Sequence, residues 1–192
     1  MADGLIKNLT ISTTYRLKSY SDHQRQNWAK SKSIVIYENE TQLRSFVQDA
    51  ILKKNLGKKM YLGAVSKELS QRIKIDTGID VEDYNCTLWA DDVRHTLKKH
   101  GNMKTEELRG QRVITVDDFV NIPKIIQEYD NISYDSKNME KPALLFVKTL
   151  NGCTTVVANI SKGHLDLRVK SMRSGKNNSG NLAMLVNAKS LT

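Results

Sequence analysis

The feature that most constrains this chain is a change of hydrophobic period near residue 132. Before it, apolar residues recur at helical spacing; after it, they alternate or run in short β-branched blocks. Leu43, Phe46, Val47, Ala50 and Ile51 fall at i, i+3, i+4, i+7 and i+8, which predicts an amphipathic helix that starts at the capping side chains of 39–41 and ends near Gly57. A second helix is expected from Ser66 through Ile73 toward Gly78, with Ser66 as N-cap and Val65 and Leu69 arranged as a staple. A third covers 89–99, where Trp89, Val93 and Leu97 form the apolar stripe. Asp91 and Asp92 occupy its first turn and Lys98 and Lys99 its last, each sign at the end the helix dipole favours. Residues 103–111 read as a polar loop, and 115–119 start a short helix that Pro123 interrupts. Short extended runs are expected at 33–37 and 58–65. Strands are expected at 143–150, 154–160, 165–172 and 182–188, with Asn151-Gly152 as the strongest hairpin signal. Helices followed by an antiparallel meander make an α+β fold.

Length and charge narrow the functional class. A chain of 192 residues is expected to form one domain, here read as a polar arm over 1–32 and a main domain over 33–192. The net charge is +9, and residues 137–192 hold nine basic residues against two acidic ones. A basic face confined to one part of a domain is the electrostatic footprint of a polyanion; the bland reading is a soluble basic surface without a ligand. Aromatic residues are sparse in that segment, which disfavours base stacking there. No apolar run is long enough to span a bilayer and no secretory signal is visible, so a cytoplasmic protein without a membrane partner is expected. Cys86 and Cys153 lack CxxC spacing, which points to packing residues rather than a zinc site or disulfide framework. The loop over 174–181 is either a plain hairpin connection or a functional surface loop.

Histidine is the side chain best suited to proton transfer at neutral pH. His95 and His100 lie close together in VRHTLKKHG, but an i, i+5 pair is about 140° apart on a helix, so both face one ligand only if the helix ends first. The spacing is not that of HExxH, and no metal site is expected. Two readings stay open: a half-buried His95 with a capping His100, or a pair of acid–base groups, with Asp91 or Asp92 orienting His95. No GxSxG, Walker A or Rossmann pattern occurs. Along LDLRVKSMRSGK, strict alternation groups Arg168, Lys170 and Met172 on one face and Leu167, Val169, Ser171 and Arg173 on the other. Ser171 and Arg173 together can offer a hydroxyl and a guanidinium to a phosphate.

The ordered series KKMYLGAVSKELSQRI, VEDYNCTLWADDVRHTLKKHG, GQRVITVDDFVNIPKII, FVKTLNGCTTVVANI and LDLRVKSMRSGK resembles the phage-associated nuclease domains of the barnase–EndoU–colicin–RelE class. These form the C-terminal part of phage Mu-F-like head proteins and prophage toxins. The resemblance covers about residues 33–187. It implies N-terminal helices packed on a four-stranded antiparallel sheet, and a metal-independent ribonuclease that needs no cofactor. It further implies a catalytic set of His95, His100, Lys148, Ser171 and Arg173, with Lys98, Arg168, Lys170 and Lys176 binding substrate. Cleavage would proceed by attack of the 2′-OH, leaving a 2′,3′-cyclic phosphate. Expected partners are tRNA or mRNA, and a cognate inhibitor or a phage or host protein. The strand end reads Ser171-Met172-Arg173-Ser174, where the class pattern ends Thr-Met followed by Tyr and Lys. That departure is the sequence feature behind the alternative, a catalytically inactive nuclease-fold protein that binds nucleic acid or a host defence protein.

Overall fold

Each of the early helices begins where a short polar side chain meets an apolar stripe. In the computed structural model, which describes residues 34–137, 142–150 and 152–175, helix α1 (Glu40–Ile51) is capped by Asn39, whose Oδ1 accepts from the Gln42 N–H at 2.9 Å. Helix α2 (Lys67–Thr77) is capped by Ser66, whose Oγ accepts from the Leu69 N–H at 3.1 Å, and it ends on Gly78 at φ 75°, a left-handed turn that glycine adopts without strain. Helix α3 (Ala90–His100) follows, then α4 (Met103–Leu108), α5 (Val116–Val120) and α6 (Ile122–Gln127). The Thr115 N–H and hydroxyl both donate to Asp118 Oδ2 at the start of α5. Pro123 sits in the first turn of α6, where its missing N–H removes no helical bond.

The strands are β1 (Ile34–Ile36), β2 (Lys59–Ala64), β3 (Asn85–Trp89), β4 (Gln111–Arg112), β5 (Asn131–Asp135), β6 (Ala143–Leu150), β7 (Gly152–Ser161) and β8 (Asp166–Gly175). They form one eight-stranded sheet in the order β1-β2-β3-β8-β7-β6-β5, with β4 pairing β8 beyond the end of β3. The β1–β2 and β3–β8 pairs are parallel and the others antiparallel.

The α+β class stands, but the four-stranded antiparallel sheet is corrected to eight strands of mixed direction. The reason is non-local. A parallel β3–β8 pair joins segments about eighty residues apart, and no local turn announces such a crossover. Residues 85–89 fold as a strand, so the third helix starts at Ala90 rather than Trp89. The polar stretch at 103–111 contains α4 and reaches β4, and β6 and β7 pair antiparallel as a hairpin with Leu150 opposite Gly152. The arm over 1–32, the strand expected at 182–188 and Lys176 lie outside the described residues.

The core lies against one sheet face. Met60, Leu62, Cys86, Leu88, Leu144, Phe146, Val156, Leu167, Val169 and Met172 join Leu43, Phe46, Ile73, Val93, Phe119 and Ile125 from the helices in one apolar cluster. The alternate strand residues, among them Thr87, Val157, Arg168 and Arg173, are absent from it. Among the described residues the sheet therefore has one face against the helical core and a second face whose side chains lie outside that cluster. No helix among the described residues is long and apolar enough to cross a membrane.

Candidate nucleic-acid interface and active site

Strand β8 sits inside the sheet and carries the cations of interest. Its alternation is broken once: Ala158 pairs with Val169, but Val157 pairs with Ser171, so Lys170 is an extra residue on β8. Such a bulge changes which side chains share a face. Leu167, Val169, Met172 and Ser174 are buried, while Arg168, Ser171 and Arg173 are partly exposed. The alternation expected from sequence, which set Arg168 with Met172 and Ser171 with Leu167, is therefore corrected. Arg168, Ser171 and Arg173 share the face turned away from the core cluster, beside Asn159, Val157 and Thr155 of β7.

Asp92 organises the upper end of this strand. It is 3% exposed and lies in the first turn of α3. Its Oδ2 accepts from Arg168 Nε at 2.6 Å and its Oδ1 from Lys170 Nζ at 2.5 Å. The Arg168 guanidinium also stacks on the Trp89 ring, 4.4 Å from its centroid, and Lys59 Nζ approaches the same ring at 5.4 Å. Trp89 and Lys59 are direct partners across β2 and β3. One residue pair along, Thr87 donates to Asp166 Oδ2 at 2.9 Å. Burial pushes the Asp166 carboxyl above its ordinary range, against the opposing pull of the Thr87 hydroxyl and the cations of Lys59 and Arg168.

Arg173 differs from these. Its side chain makes no hydrogen bond or ion pair with a described residue, its charge acting only on the nearby Cys153 thiol of β7, and the Ser171 hydroxyl is equally unengaged. On this strand the guanidinium at 173 is thus available to an incoming anion, whereas the Arg168 guanidinium and the Lys170 ammonium are already shared with the Asp92 carboxylate.

Helix α3 fills the stretch of β8 between the end of β3, at Val169, and the start of β4, at Ser174. Asp92, Thr96 and His100 follow one another at i, i+4 and i+8, and all three are buried. They span about 12 Å along the helix axis. The Ile114 N–H donates to the His100 carbonyl at 2.9 Å just after β4, which brings this end of the helix beside the Ser174 end of β8. Inside, His100 Nδ1 lies 3.0 Å from Oε2 of Glu106, a carboxylate with no exposed surface. Arg109 Nη1 donates to the other carboxylate oxygen at 2.7 Å.

The remaining expected site residues lie elsewhere. His95 is exposed on the opposite side of α3 from His100, so the two rings do not face one ligand. Neither neighbouring carboxylate orients it: Asp91 pairs with Arg94, and Asp92 with Arg168 and Lys170. Lys98 is exposed on the same helix. Lys148 aligns with Phe146 and Leu144 on the helix-covered face, where its Nζ donates to the Glu128 carbonyl at 2.7 Å and lies 3.5 Å from Asp130 Oδ1. It is separated from Arg173 by the sheet itself. Among the described residues no group of three or more His, Cys, Asp or Glu side chains has the makings of a metal site. Cys86 is buried in the core, and burial pushes its thiol well above the ordinary range.

Lys59, Trp89 and Glu106 were not legible as site residues, and Asp92 was legible only as a possible partner of His95. Trp89 looks like a helix-stripe residue in sequence, and only the β3–β8 pairing sets it beside Arg168. The one usable signal was Asp92, an acidic residue on the buried line of an amphipathic helix.

A sequence model described as phage-Barnase-EndoU-ColicinE5/D-RelE like nuclease3 matches residues 63–181. No curated protein and no solved structure matches the chain significantly.

Proposed function

Given that the chain belongs to this phage-type, barnase–EndoU–colicin–RelE-like nuclease family, we propose that it is a metal-independent endoribonuclease acting on the face of β8 that carries Ser171 and Arg173. The observation that carries the reading is the Arg173 guanidinium, without an ion-pair partner among the described residues and next to the Ser171 hydroxyl. A cationic donor held ready in that way suits a phosphate whose negative charge grows in the transition state. RNA supplies its own nucleophile, the 2′-OH, and so needs no metal-bound water. The 2′ oxygen loses its proton to a base and bonds to phosphorus. The bond to the 5′ oxygen breaks and that oxygen takes up a proton, leaving a 2′,3′-cyclic phosphate and a 5′-OH. His100 serves one of these proton transfers and solvent water the other. Arg173 and Ser171 bind the scissile phosphate, while Arg168 and Lys170 hold the backbone beside it without reading its sequence. Lys98 extends that track.

Purified protein incubated with total RNA in EDTA tests the reading. Fragments ending in 2′,3′-cyclic phosphate and 5′-OH are expected. Intact RNA, or cleavage only when magnesium is restored, overturns it.

A second reading rests on two specific observations: His95 and His100 point to opposite sides of α3, and Asp92 already neutralises part of the charge of β8. In it the protein binds nucleic acid without turnover. Salt-sensitive RNA binding, intact RNA and harmless expression in a host cell are its signature.

A further inference from the structure

Glu106 is the most completely enclosed carboxylate among the described residues, with no exposed surface, and both its oxygens are engaged. Burial on that scale is expensive for an anion unless it is paired. One pairing is with Arg109, a permanent cation: its guanidinium reaches Oε1 at 2.7 Å while 46% of its own side chain stays in solvent. The other oxygen is spent on His100 Nδ1 at 3.0 Å. An ionised carboxylate only accepts hydrogen bonds, so Nδ1 carries the proton of that contact.

We infer that Glu106 is a positioning residue that fixes His100 in the Nδ1–H tautomer, leaving Nε2 as the atom that exchanges protons with substrate. This deepens the ribonuclease reading and rests on it for its consequence, not for the tautomer itself. Three features of the fold support it. The His100 ring keeps 9% of its side-chain surface exposed, and Nε2 makes no hydrogen bond with a described residue. The main chain on both sides is pinned: the His100 carbonyl accepts from Ile114 N–H, and the Asn102 carbonyl accepts from Glu106 N–H at 3.0 Å. Finally, His100 closes the buried line of α3 whose first member, Asp92, grips the β8 cations. A neutral imidazole with Nδ1 bound to a carboxylate presents its lone pair at Nε2, and the same carboxylate stabilises the imidazolium once a proton arrives.

The test uses the full chain. Long-range nitrogen–proton NMR of histidine-labelled wild type, at a pH where the ring is neutral, should show His100 protonated at Nδ1; a proton on Nε2 overturns the inference, whether or not RNA is cleaved. In RNA cleavage, Glu106→Gln should lower kcat on the order of 10²-fold with KM within about twofold. The same substitution in a His100→Ala background should add nothing. A further loss of similar size there, or a Glu106→Gln loss confined to KM, shows that Glu106 does not act through His100 and overturns the inference. Failure of the wild type to cleave RNA removes the ribonuclease reading and leaves the tautomer to be decided by the spectrum.

Discussion

The Asp92 carboxylate accepts a hydrogen bond from Arg168 Nε at 2.6 Å, joining the first turn of α3 to the middle of β8. Because Asp92 is nearly enclosed and also holds Lys170, its loss leaves two cations facing each other. Asp92→Asn should cost about 3 kcal/mol, near the lower end for a broken buried pair because both partners keep some solvent contact. Urea denaturation measures this, and a change below about 0.5 kcal/mol would show the contact to be energetically idle.

Arg173 and Lys148 should behave in opposite ways. Arg173 has no described partner, so Arg173→Ala should leave stability within about 0.5 kcal/mol of wild type and lower RNA cleavage on the order of 10²–10³-fold. Lys148 is tied to the Glu128 carbonyl on the far face. Lys148→Met should lower the melting temperature while leaving cleavage by the folded fraction within about threefold. Initial rates and thermal melts on the two variants decide it.

Two carboxylates should give opposite pH dependences of stability. Burial raises the Asp118 carboxyl, but the Arg112 guanidinium and the Thr115 N–H and hydroxyl outweigh it and hold the group below its ordinary value. Its contribution is present above the unfolded pKa, about 3.9, and is lost as pH falls through the lower folded value. Asp166 is shifted the other way by burial. Its contribution is full below about pH 3.9 and is lost as pH rises through the folded value. Relative to wild type, Asp118→Asn should therefore look worst near neutrality and improve in acid. Asp166→Asn should look best near neutrality. Urea titrations between pH 3 and 7 read both signs.

Gly152 opens β7 at φ 120°, and a Cβ there would lie 2.6 Å from the Gly175 carbonyl oxygen and 3.0 Å from Ser174 Oγ. Backbone cannot yield cheaply, so Gly152→Ala should cost about 1–3 kcal/mol. Thermal unfolding of the variant checks this, and a melting point unchanged from wild type would contradict the strain.

Legibility followed locality. Helix α1 was readable from Leu43 through Ala50, because each signal lies within a dozen residues. Strand β3 was not, because Asn85 and Thr87 make sense as strand residues only once β2 and β8 flank them. For the candidate site, β8 with Ser171 and Arg173 could be picked out from sequence; the bulge at Lys170 was missed although the apolar spacing in LDLRVKSM lengthens from two to three between Val169 and Met172. His100 was legible as a histidine near a helix end. Its anchor Glu106 was hidden in a stretch that looked like a solvated loop, and Lys148 was misleading because β-strand parity depends on which face the helices choose.

The supernumerary Lys170 gives β8 one residue more than its pairing with β7 requires. Delete that one codon and Ser171 follows Val169 directly, opposite the consecutive Val157 and Ala158, so the ladder becomes regular with the methionine at 172 still inward and the guanidinium at 173 still outward. What the shortened strand would lose is the lysine that grips Asp92, not the facing of anything that follows it.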